Sequence, residues 1–237
     1  MIISEIRSDI LAIEVNKSIY KKINFNLRAD ALDFIDFQII DRIESIPPNE
    51  DLKEELDWLR IRSNNLKYEL EQIDSNLFLQ IRKKIRTVND KRLFFKKTIF
   101  KYLGIRISDI EQSPKIRYDN LDIFINGLIC DKIISEPKKI REVEMVFYQK
   151  TPARVIFEML TLARLKQDDV FFDLGSGLGQ VAILVNIVSG ISAYGIEYEP
   201  TYCEYANECA LRLNLSNVRF INADARNSDY SKGTIFF

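Results

Sequence analysis

The sequence predicts a chain in two parts. A helical N-terminal domain spans residues 1–145, and residues 146–237 form an α/β domain built on a parallel sheet with helices on its faces. Three observations carry this. Only two of the eight glycines fall in the first 145 residues, where apolar residues recur at heptad spacing. From Phe147 onward, short apolar runs alternate with helix-like ones. The first of those runs ends in "DLGSGLGQ", Asp173–Gln180, whose three alternating glycines read as a turn against which a ligand can lie.

The composition, 46% hydrophobic and 29% charged with a net charge of −1, is that of an ordinary globular protein. Bulk charge therefore points neither to nucleic acid nor to a membrane. Glu5, Arg7 and Asp9 interrupt the N-terminal apolar pattern, so no signal peptide is expected there. No apolar run approaches the ~18 residues of a membrane span. Cys130, Cys203 and Cys209 lack metal-binding spacing and read as small buried residues in a reducing, cytoplasmic setting; no metal site is expected. Histidine is absent altogether, which removes Ser-His-Asp triads, Cys-His pairs and imidazole acid–base chemistry.

Within the first part, Leu52, Leu59, Leu66 and Ile73 repeat every seven residues, with Leu56, Leu70 and Leu77 interleaved and Ser63 as the exception. This is an a/d seam of about three heptads. Pro47-Pro48 block the preceding helix, and Asn49 followed by Glu50 and Asp51 caps the new one. An antiparallel helical hairpin and a homodimer through the heptad helix both suit the pattern. The next stretch, Ile81–Arg106, is dense in Lys and Arg against the single acid Asp90. It reads either as a basic surface for nucleic acid or an acidic partner, or as a solvated helix face with Leu93, Phe94, Phe100 and Leu103 packed inward.

In the second part, Thr151-Pro152 opens a helix, with Thr151 as N-cap and Pro152 at the first helical position. "DVFFDL" is a buried strand, and "QVAILVNIV" a helix stopped at Ser189-Gly190. "AYGIE" is a second strand, "PTYCEYANECALRLN" a helix, "VRFIN" a third strand and "GTIFF" a fourth. A parallel sheet of this kind binds its ligand at the carboxyl ends of the strands.

The glycine spacing narrows the ligand. A dinucleotide fingerprint is G-x-G-x-x-G, but its third glycine would fall at Gln180. Here the spacing is G-x-G-x-G behind an acid, Asp173, which repels a pyrophosphate and attracts an ammonium. Glu197 closes strand two, where a carboxylate can accept from both ribose hydroxyls, and Asp224 follows strand three, where it could meet an adenine amino group. Carboxylates after three successive strands suit S-adenosylmethionine, which has an ammonium, a ribose and an adenine. Each acid also has a purely structural reading: Asp173 and Asp224 as caps, Glu197 as an exposed strand end.

"VFFDLGSGLGQ", "GIEYEP" and "NADAR" resemble the first three motifs of the Rossmann-like, class I S-adenosylmethionine-dependent methyltransferases. The D-L-G-S-G-x-G-Q form, with "YQKT" at Tyr148–Thr151, is similar to the DOT type (disruptor of telomeric silencing) of histone-lysine methyltransferase, a non-SET family. "REVEMVFYQKTPARVIFEML" also looks like bacterial proteins carrying this domain. The resemblance implies that Tyr148 and Thr151 close over the methionine part of the cofactor. Asp173 and the backbone of Phe171, Phe172, Leu174, Gly175, Ser176, Gly177, Leu178, Gly179 and Gln180 would hold its amino-acid end. Glu197 would take the ribose, and Asp224 with Ala225 would flank the adenine. Tyr148 as a core aromatic and Thr151 as a plain N-cap are the alternatives.

The resemblance implies methylation of a lysine in a protein substrate, with no dedicated base assigned. The alternatives are a methyltransferase acting on RNA or a small molecule, and a non-catalytic cofactor-binding or interaction module. In the family, strand four leads directly into a motif lining the acceptor channel, whereas this sequence stops at "GTIFF". The methyltransferase domain is therefore expected to be incomplete at its C-terminal end, and these 237 residues alone to be catalytically silent.

Overall fold

The computed structural model describes residues 2–47, 49–112, 118–129, 134–139 and 148–237. Pro48, Cys130, Phe147 and the boundary expected at 145/146 lie outside the described residues. The chain divides into two compact units, Met1–Leu79 and Gln80–Phe237.

The first unit contains α1 (Ile2–Val15), α2 (Phe25–Phe34), a π-helical turn (Ile35–Ile40), α3 (Asp41–Ser45) and most of α4 (Lys53–Thr87). Asn49 caps the approach to α4 as expected, accepting from the Asp51 N–H at 2.9 Å. The heptad seam of α4 is buried: Leu56, Leu59, Leu66 and Leu70 pack with Ile6, Ile10, Ile35, Ile39 and Ile43. Ser63, the exception in the repeat, is also fully buried and returns its hydroxyl to the Leu59 carbonyl at 2.8 Å. The seam is thus covered by the chain's own α1–α3. Arg28, wholly buried, donates to Asp74 at 2.8 Å and to the carbonyl oxygens of Ile19 and Lys21. Each nitrogen of that guanidinium thus has a partner, Nη2 also donating to Asp74, as burial of a charge requires.

The second unit holds a four-stranded sheet in the order β3-β2-β1-β4, with β1 Val170–Leu174, β2 Ser192–Glu197, β3 Val218–Asn222 and β4 Ile235–Phe236. Every pairing is parallel. The register sets Asp173 beside Gly195, and Glu197 beside Asn222. Crossovers run through α8 (Gln180–Ser189) and α9 (Pro200–Arg212). Gly190 ends α8 at φ +84°, in the left-handed cap expected of it. Residues 180–188 of α8 are all buried, because α5 (Lys91–Leu103) and α7 (Ala153–Leu162) cover the helix away from the sheet. Along β1 successive side chains alternate: Phe171 is fully buried on one face, while Phe172 on the other stacks on Tyr194 at 5.0 Å and Phe236 at 5.9 Å.

Two local expectations need correction. On α5 the inward residues are Phe95, Thr98, Ile99 and Leu103, whereas Leu93 and Phe100 are about half exposed and Phe94 only partly buried. The run "RLFFKKTIF" has apolar residues all around the helix, so its spacing allows two registers; the fit of Phe95 against Phe157 of α7 accompanies the one adopted. At α7, Pro152 rather than Thr151 is the N-cap, and no side chain of its own caps it. Asp122 of α6 (Asn120–Ile129) does so from across the unit, accepting from the Ala153 N–H at 2.7 Å.

No helix among the described residues is long and apolar enough to cross a membrane. Cys203 and Cys209 are buried, as read from the sequence.

Candidate functional site

A cleft of about 900 Å³ opens at the carboxyl ends of the strands, within the range of ordinary ligand sites. It lies where the sheet order reverses between β1 and β4, the switch point at which parallel sheets bind ligands.

Its floor is the glycine turn between β1 and α8. The Gly175 and Ser176 N–H groups both donate to the Ile196 carbonyl, at 2.9 and 3.0 Å, and the Gly179 N–H donates back to Ser176 at 2.8 Å. The turn is thus tied to β2 before any ligand arrives. Gly177 sits at φ +52°, and a Cβ there would come within 2.5 Å of Tyr148 Cδ2. Its missing side chain therefore lets the Tyr148 ring lie on the loop. Gly179, at φ +79°, is needed for a different reason: a Cβ would lie 2.7 Å from Ala206 Cβ on α9.

Two carboxylates stand behind the loop. Glu197, largely buried, accepts from the Gly177 N–H at 2.6 Å and, through its other oxygen, from the Glu199 N–H at 2.8 Å. Asp173 is only 3% exposed, and its Oδ2 has no hydrogen-bond partner. Burial, reinforced by the Glu197 charge, pushes the Asp173 carboxyl up to about 7. Two more polar atoms of the same loop, Ser176 Oγ and Gln180 Oε1, are buried and unpartnered. Unmatched buried polar atoms are costly, and three around one cleft mark a place built for a polar ligand.

The mouth is aromatic. Tyr148 packs on Tyr202 with centroids 5.7 Å apart, and desolvation drives its phenol well above the ordinary range, so it is a protonated wall rather than a base. The Tyr118 hydroxyl donates to the Lys150 carbonyl at 2.5 Å, and Gln180 Nε2 donates to the Thr151 carbonyl at 3.3 Å. These bonds pin the C-terminal end of the 148–151 segment beside the loop. Asp224 accepts from the Arg226 N–H at 2.9 Å and pairs with its guanidinium, and these bonds hold its carboxyl below the usual range. The capping reading of Asp224 is thus realised while the residue still faces the cleft.

Of the residues expected from the sequence, Tyr148, Thr151, Asp173, Leu174, Gly175, Ser176, Gly177, Gln180, Glu197, Asp224 and Ala225 line this one cleft. Phe171, Phe172, Leu178 and Gly179 do not; they support it from the strand and the helix start. The sequence reading missed Glu199, Lys139, Tyr198, Tyr202 and Phe237. Glu199 is the most consequential. Burial alone would raise its carboxyl, but the N–H groups of Lys138, Lys139 and Thr201, each donating at 2.9–3.0 Å, hold it down at about 2. It caps α9 and straps the 138–139 backbone beside the cleft, and Lys139 Nζ then sits 3.4 Å above the Tyr198 ring.

A parallel sheet with this order, a glycine turn after β1 and acids at the ends of β1, β2 and β3 make a Rossmann-like α/β domain with its ligand cleft at the carboxyl ends of the strands. Residues 132–234 match the family model described as histone methylation protein DOT1, in line with the resemblance of the loop motifs. Comparison with curated proteins gives no match. Among solved structures, the chain is similar to an RNA methyltransferase from Salinibacter ruber in complex with S-adenosyl-L-homocysteine, with 32% identity over 37% of this chain and 58% of that one (TM-score 0.36). It is also similar to a protein-L-isoaspartate O-methyltransferase, at 18% identity over 68% and 47% (TM-score 0.35). A third is a coclaurine N-methyltransferase bound to N-methylheliamine and S-adenosylhomocysteine, at 16% identity over 88% and 52% (TM-score 0.30). The chain thus spans about half the length of the solved structures it matches.

Proposed function

We propose that the cleft binds S-adenosylmethionine and that the protein transfers its methyl group to a lysine side chain of a protein substrate. The observation that carries the cofactor is Asp173, a buried carboxyl with a free oxygen at the end of β1. An approaching ammonium supplies the missing partner, offsets the repulsion from Glu197 and draws the carboxyl into its charged form. Glu197, already fixed by two backbone N–H groups, presents its remaining lone pairs to ribose hydroxyls. Ser176 and Gln180 offer their unpartnered oxygens to the amino-acid end.

S-adenosylmethionine supplies a methyl group on a positively charged sulfur, so the protein has chiefly to align a nucleophile with it. This fits a chain without histidine. The aromatic mouth of Tyr148, Tyr202 and Phe237 shields an incoming amine from water, which favours its neutral, nucleophilic form. Support for protein lysine as acceptor comes from the DOT1 match over residues 132–234, whose description names histone methylation. The deciding experiment supplies tritiated S-adenosylmethionine to the full-length protein with a pool of cell proteins and, separately, with total RNA. Label in protein, recovered as methyl-lysine on hydrolysis, is the expected result. Label confined to RNA would overturn the acceptor and keep the cofactor.

A further inference from the structure

Although the whole chain has a net charge of −1, the stretch Lys83–Arg106 carries nine cations against the one acid Asp90, a local charge of +8 that leaves the remainder at −9. Asp90 is already engaged, accepting from the Leu93 N–H at 2.8 Å as the cap of α5. Among the described residues, Lys83, Lys84, Arg92, Lys96, Lys97 and Lys101 make no ion pair. Where the cations of this stretch do find partners, these are neutral: Lys91 donates to the Ile85 carbonyl and Arg86 to the Arg212 carbonyl. Lys91 and Lys96 are held below the usual lysine range, by burial first and then by Arg86 and Arg92 respectively, so the cations repel one another in place.

The face is not purely ionic. On α5, residues 93, 96, 97 and 100 fall within an arc of about 100° of the helix, with Arg92 at its edge beside buried Ile99. Leu93 and Phe100 are 48% and 49% exposed in the middle of that arc, with cations to either side. Arg106 lies over the Phe100 ring at 5.3 Å. A flat, exposed aromatic ring among unpaired cations suits a ligand with regularly spaced negative charges and stackable rings. An acidic peptide supplies only the first of these.

We infer that the exposed face of α5 docks single-stranded nucleic acid, with the cations on phosphates and Phe100 stacked on a base. This goes beyond the cleft and is independent of it, because it concerns binding in the absence of any cofactor. The test measures fluorescence anisotropy of a labelled ~20-nucleotide single-stranded RNA with the intact protein. Five phosphate contacts give a salt slope of roughly −3.5, so affinity should fall about a hundredfold between about 50 and about 200 mM salt. The triple variant R92E/K97E/K101E, which alters exposed side chains only, should abolish binding at the lower salt while leaving the melting temperature unchanged. Phe100→Ala should weaken binding at least about fivefold with the salt slope unchanged, since stacking is not ionic. Polyglutamate at equal charge concentration should fail to displace the RNA. Unchanged RNA affinity in the triple variant would overturn the inference. Polyglutamate competing as well as RNA, with Phe100→Ala silent, would overturn it in favour of an acidic protein partner.

Discussion

Asp173 is where sequence and chemistry meet. Its folded carboxyl titrates at about 7, above the ordinary value near 4. A carboxyl raised on folding is harmless below the unfolded pKa, where both states are protonated. It costs stability increasingly as pH rises from about 4 to about 7, and by a constant amount above that. Asp173→Asn should therefore raise the melting temperature of the cofactor-free protein at pH 8, and the gain should shrink towards nothing at pH 4–5. Melting curves at the two pH values check this; an equal effect at both would mean that Asp173 is not held protonated. Glu197 makes a different prediction. Removing a charged acceptor forfeits about 1.5–3 kcal/mol, so Glu197→Ala should weaken S-adenosylmethionine binding roughly ten- to a hundredfold. The exposed Glu158→Ala, on α7, should leave it unchanged. Glu199 is unsuitable as that control, because the structure places it in the cleft wall.

At the level of elements, what the sequence disclosed was what depends on neighbours in the chain. The strands β1, β2 and β3 were legible because each is a short apolar run between turn signals, and α8 because Gly190 stops it at positive φ. What stayed hidden depends on residues far apart. The cap of α7 comes from Asp122, 31 residues before Ala153. The strap at the cleft pairs Glu199 with N–H groups 61 and 60 residues earlier, and nothing in the local sequence of either segment announces it. That strap is testable as an element. Glu199→Gln replaces an ionised acceptor with a neutral one, so the Lys138 and Lys139 amides should exchange hydrogen roughly ten- to a hundredfold faster. Mass-spectrometric exchange at those amides reads the change directly, and unaltered protection there would remove Glu199 from its role as anchor.

Over the whole molecule, the sequence also delivered the cleft: eleven of the residues named from motifs line one cavity at the switch point of a parallel sheet. The four that do not line it, Phe171, Phe172, Leu178 and Gly179, belong to the same motifs, which record packing as well as contact. The glycine spacing and the three acids together argue for a ligand that is cationic at one end and a nucleoside at the other. Titration calorimetry of the cofactor-free protein with S-adenosylmethionine and, in parallel, with NAD tests that claim most directly. Saturable binding of S-adenosylmethionine is expected at pH 8, weaker by roughly tenfold per pH unit below about 7 as Asp173 takes up its proton, with no heat from NAD. Binding of NAD without binding of S-adenosylmethionine would contradict it.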